Sequence, residues 1–134
     1  MLEAYSVNVA ATANTAVALN NITIEKGCTA KLVAPTTIQL NKSGVYMVAC
    51  DASFTPAAEG TIGIELQKNN VIQPQAQSTA TGAVDTTSNL NFTTLVQVSH
   101  DNTSCCTSSP TTLQIISLAD GTFDSINICI TKIC

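Results

Sequence analysis

The sequence contains no arginine and no tryptophan, and five lysines are its only permanently charged cations in 134 residues. Bidentate recognition of phosphate or guanine needs arginine, and a formal net charge of −4 offers no basic surface, so nucleic-acid binding is not expected. Charged residues make up only 10% of the chain, well below the roughly one quarter usual for soluble domains. No apolar run approaches the ~20 residues that span a bilayer, so membrane insertion is not expected. Met1–Ala10 lacks the basic run and apolar core of an export signal, which points to synthesis in a cytosol. There is no heptad, collagen-like glycine period or internal repeat. One histidine and no arginine leave little from which to assemble convergent titratable groups, and the chain reads as a non-enzyme that needs no cofactor.

What the chain does have is apolar and weakly polar surface. Hydrophobic residues reach 45%, and a surface built from Thr, Ser, Asn and Gln is most simply covered by self-association. A chain of this length forms one core.

Short runs rich in Val, Ile and Thr, broken by Gly, Pro, Asn and Asp, predict about ten strands and no helix. Tyr5–Ala10, Asn21–Glu25, Thr61–Lys68, Val71–Thr79, Asn89–His100 and Ser125–Ile133 are the clearest. Asn69-Asn70 between two such runs reads as a two-residue hairpin, because asparagine tolerates positive φ. Val45–Cys50 is apolar at successive positions and should lie between two buried layers, the second of them a neighbouring subunit. Residues 1–16 form an N-terminal arm or edge strand, and a strip here could anchor the protein; residues 17–134 form one domain. Tyr46, Val48, Phe92, Val96 and Ile128 are the residues expected in the core or in a subunit interface.

Six cysteines, at 28, 50, 105, 106, 129 and 134, are many for a chain without an export signal. Cys50 and Cys129 lie in apolar strands and read as small buried hydrophobes, whereas Cys28, Cys105, Cys106 and Cys134 could pair after release from a reducing compartment. His100, Cys105 and Cys106 have the chemistry of zinc ligands, but their spacing matches no standard module and a plain loop is the better account. Ser99-His100-Asp101 has the residue types of a catalytic triad, yet strand neighbours point to opposite faces and cannot form the relay. Asp85, Asp101, Asp120 and Asp124 are loop carboxylates for which turn chemistry is the simpler reading than calcium binding.

The stretch Thr37-Ile38-Gln39-Leu40-Asn41-Lys42-Ser43-Gly44-Val45-Tyr46-Met47-Val48 resembles the signature of the complement-component-one-q and tumour-necrosis-factor (TNF) jelly-roll superfamily. There a strand turns through a glycine and re-enters as Gly-x-Tyr-x-aromatic; here Gly44-x-Tyr46 fits and Val48 replaces the aromatic. The ending Ile128-Cys129-Ile130-Thr131-Lys132-Ile133 is similar to the close of exosporium collagen-like glycoprotein heads. The segments Asn20–Ile24, Lys26-Gly27-Cys28 and the Cys105-Cys106 loop also resemble small virion proteins of phages. The resemblance implies an all-β, TNF-like jelly-roll sandwich of about ten strands, assembled as a homotrimer. It also implies a structural role on a virion surface, as a head fibre or capsid decoration bound to other virion proteins. The alternatives are a spore-surface protein, or an adhesion module for glycans on a host surface.

Overall fold

In the computed structural model the described residues are 1–99 and 111–134. They form eleven strands: β1 (Leu2–Ala11), β2 (Thr15–Ala16), β3 (Asn21–Glu25), β4 (Ala30–Ala34), β5 (Thr37–Leu40), β6 (Gly44–Pro56), β7 (Gly60–Lys68), β8 (Val71–Gly82), β9 (Ser88–Val98), β10 (Thr111–Ser117) and β11 (Gly121–Lys132). One sheet has the order β3-β1-β11-β6-β9, the other β4-β5-β10-β7-β8, with β2 added to β10. Every ladder is antiparallel.

The sandwich follows from period-2 alternation. Leu90, Phe92, Thr94, Val96 and Val98 of β9 are buried while Asn91, Thr93, Leu95 and Gln97 face out. Tyr46, Val48, Cys50, Ala52 and Phe54 of β6 and Phe123, Ile126, Ile128 and Ile130 of β11 join them from the same sheet. Ile62, Ile64 and Leu66 of β7 with Leu113 and Ile115 of β10 close the core from the other sheet. Phe54 and Phe123 meet with ring centroids 4.8 Å apart and planes tilted by 53°, a favourable aromatic geometry.

Turn chemistry sets the connections. Asn69 and Asn70 adopt φ of 51° and 65°, which makes the β7–β8 link the two-residue hairpin expected from the sequence. Gly44 opens β6 at φ 141°, and a Cβ there would strike the Cys134 carbonyl oxygen and the Lys132 side chain, so glycine is required on both counts. Next to it, the Tyr46 hydroxyl donates to the Lys42 carbonyl at 2.7 Å and to the Thr29 carbonyl at 3.4 Å, tying two loops to the core.

The N-terminal segment is placed by pairing on both sides. Leu2–Tyr5 lies between β3 and β11, and beyond Tyr5 the strand continues along β11 as far as Ala11. Leu2 and Ala4 are fully buried, and the buried Ser6 hydroxyl donates to the Ala18 carbonyl while accepting from the Asn20 amide. Residues 1–16 are thus built into the sandwich rather than standing off it as an arm. The physical cause is the apolar–polar alternation Leu2, Ala4, Ser6, which needs a partner sheet to bury it.

Candidate functional site

The five proposed core or interface residues all point inward. Tyr46, Val48 and Ile128 are fully buried, and Val96 and Phe92 are nearly so, within the single chain. They hold the two sheets together and leave nothing on the surface for a partner to touch. Cys50 is buried, but Cys129 is half-buried on the opposite side of its strand, because alternation sends Ile128 and Ile130 inward and the residue between them out. Cys28, Cys50, Cys129 and Cys134 are all free thiols. His100, Cys105 and Cys106, together with Asp101, lie outside the described residues.

The other loop carboxylates have structural partners. Asp120 accepts from the Ala13 amide at 2.7 Å, and Asp124 accepts from Thr55 Oγ1 at 2.6 Å and Thr87 Oγ1 at 3.3 Å. Asp85 occupies a turn at φ 60°, a conformation aspartate tolerates. Among the described residues no group of His, Cys, Asp and Glu is arranged to hold a metal ion.

The surface of interest is the outer face of the first sheet. Register fixes which side chains stand in line across it. Nearest the chain termini runs Leu95, Met47, Thr131; next come Thr93, Ala49, Cys129, Glu3. Then follow Asn91, Asp51, Asn127, Tyr5, and finally Asn89, Ser53, Ser125, Val7. The first row is apolar and open, with Leu95 57% and Met47 37% exposed. Val45–Cys50 therefore buries one face in the core and leaves the other uncovered in the single chain.

The last two rows are polar. Small side chains there leave a depression of about 340 Å³ lined by Asp51, Ser53, Asn89, Asn91, Ser125 and Asn127. A second hollow of about 260 Å³ shares Asp51, Asn91 and Asn127 with it and reaches Ala49, Thr93 and Cys129. Ser53 Oγ donates to Asn89 Oδ1 at 3.0 Å, and Asn127 Nδ2 donates to Glu3 Oε1 at 3.1 Å. Sequence reading missed this groove. Each strand shows its outward polar positions, but only the register brings Asn91, Asp51 and Asn127 side by side.

Charge is divided between the two ends of the sandwich. The Met1 ammonium donates to the Lys26 carbonyl, and Ile133 and Cys134 pair with Val45, so both ends of the chain lie together. Lys42 sits in the turn before β6, Lys132 pairs with Tyr46, Lys68 flanks the Asn69-Asn70 hairpin and Lys31 is next to the start of β4, all toward that same end. At the opposite end Glu59, Asp85 and Asp120 occupy the loops, with Asp124 just inside, and no lysine accompanies them. Those four carboxylates equal the whole formal charge of −4, since the five lysines balance the five remaining acids.

No family model matches the sequence, and no curated protein matches it. Solved structures do match. The globular domain of zebrafish complement 1qA aligns over 99% of this chain and 96% of its own at TM-score 0.72 and 10% identity. The Eiger TNF of S. frugiperda aligns over 99% and 92% at TM-score 0.74 and 11% identity. The fold is the jelly roll of C1q heads and TNF ligands. The PRD1 vertex protein P5 shares it, over 99% of this chain and 96% of that one, at TM-score 0.63 and 17% identity. At these identities the likeness is one of fold, and function has to be argued from the surface.

Proposed function

We propose that the chain is a structural module of a virion surface, a head fibre or capsid decoration, that works as a homotrimer of jelly rolls. The observation that carries this reading is the outer face of the first sheet. Among the outward positions 45–53 of β6, 89–97 of β9 and 125–131 of β11, Asp51 is the sole charged side chain, and Met47 and Leu95 stand exposed side by side. A face so poor in charge with an apolar pair at one end is suited to self-association. Three copies is the number that the jelly-roll resemblance implies.

The fold shared with the PRD1 vertex protein supports the virion setting. The ends of the chain support an orientation. Because residues 1 and 134 lie together, any tether at either terminus holds the lysine end against the particle and turns the acidic end outward. Nothing in this role requires catalysis: the module positions loops and a sheet face for contact.

Sedimentation equilibrium of the full chain in reducing buffer tests the assembly, with three times the 13.9 kDa chain mass expected at micromolar concentration. A stable single-chain species there overturns the trimer. The setting is tested by labelling intact particles with an antibody against residues 83–87, in the loop at the acidic end. Labelling of unbroken particles is expected, and labelling only after disruption removes the surface placement.

A further inference from the structure

The polar end of the same sheet face has no role in the assembly just described. Its chemistry is narrow. The groove walls are amides, hydroxyls and a single carboxylate, with no apolar side that would seat a lipid tail or an aliphatic peptide anchor. It contains no lysine, so an anionic ligand finds no counter-charge, and one carboxylate among amides is too few hard oxygens for a divalent cation. Closing a second copy over it would strip water from Asp51 with no cation on the face to pair with it, a costly burial.

A neutral polyhydroxylated ligand meets none of these objections. Among the described residues nothing hydrogen-bonds the Asp51 carboxylate, which leaves both oxygens open to adjacent hydroxyl groups. Asn91 and Asn127 flank it on the neighbouring strands, each offering an amide that donates and accepts within the same row. Tyr5 continues that row beyond Asn127, 36% exposed, and supplies a flat ring beside the groove. The volume of about 340 Å³ falls at the lower end of the range for small-molecule sites, roughly 300–1,000 Å³.

We infer that the groove between β9, β6 and β11 is a saccharide-binding site. Asp51 and Asn91 hydrogen-bond a sugar's hydroxyl groups, Asn127 positions it, and Tyr5 packs against a ring face. The site belongs to one chain and does not depend on the trimer.

The test is an array of neutral oligosaccharides of glucose, galactose, mannose and N-acetylhexosamines, probed with the full chain, followed by titration of the best binder. Asp51→Asn and Asn91→Ala should each weaken binding by about tenfold or more, since each removes a hydrogen bond to a charged or desolvated partner. Tyr5→Ala should weaken it by about threefold to tenfold, and Gln114→Ala on the other sheet should leave it unchanged. Circular dichroism of each variant checks that it is folded. No saccharide bound by the folded protein, or binding indifferent to Asp51 and Asn91, overturns the site. If Asp51→Asn and Asn91→Ala alter the sedimentation mass and leave sugar binding intact, the groove belongs to a second copy and the inference fails while the assembly stands.

Discussion

Met47 and Leu95 oppose each other across the β6–β9 ladder with both side chains on the open face of the sheet. In a free chain this pair holds apolar surface in water on a face whose other outward residues are small or polar. Leu95→Glu should therefore weaken self-association while leaving the fold intact, because the position contributes nothing to the core. A sedimentation mass falling from three chains to one, with unchanged circular dichroism, is the expected result. An unchanged mass would move the interface off this face.

Tyr46 is the one aromatic core side chain with a polar end to satisfy. Its hydroxyl reaches the Lys42 carbonyl at 2.7 Å, and burial raises the phenol above its ordinary range while that bond works in the opposite direction. Tyr46→Phe keeps the ring and deletes the bond, so urea unfolding should show a loss of about 1 kcal/mol. The same experiment on Tyr5→Phe, whose ring is on the surface, should show almost none.

Much of this architecture was legible because each strand carries its own alternation. Thr61–Lys68, Val71–Thr79 and Asn89–His100 correspond to β7, β8 and β9, and Asn69-Asn70 turns as its residue types require. The two-residue β2 has no alternation to detect, and it forms because Val17 and Ala16 are drawn onto β10. The groove was hidden for a different reason. Asn91, Asp51 and Asn127 are 36 to 76 residues apart in sequence, and they become neighbours only when two ladders take their register. The division of charge was hidden likewise, since acids and lysines alternate along the chain and separate only when the loops are sorted between ends.

The position of β1 makes truncation a sharp test of how the N-terminal residues work. Leu2 and Ala4 are fully buried, Leu2–Tyr5 is paired on both sides, and Ser6 holds the 17–20 segment. Deleting residues 1–11 leaves β11 with an unpaired edge and opens the core. The truncated chain should show no cooperative thermal transition and should bind a hydrophobic dye. A cooperative transition near that of the full chain would show the segment to be dispensable, as a detachable arm would be.

Cys50 gives the fold a dependence on alkaline pH. It lies in the core beside Ala52 and Val48, where burial pushes its thiol from 9.0 up to about 12, with the adjacent Asp51 carboxylate adding to the shift. In the unfolded chain the thiol ionises near 9.0, whereas the folded core holds it neutral. The raised value thus leaves stability intact below pH 9 and removes it progressively as pH rises toward 12. At about pH 10, one unit above the unfolded value, the loss attributable to this thiol is about 1.4 kcal/mol. Cys50→Ala has no thiol to ionise, so although it starts less stable from the lost volume, its urea midpoint should fall less between pH 8 and pH 10. The stability gap between the two proteins should narrow by about 1.4 kcal/mol over that interval. Parallel curves would mean that the thiolate is tolerated inside the sandwich, and that the core at Cys50 is wetter than its burial implies.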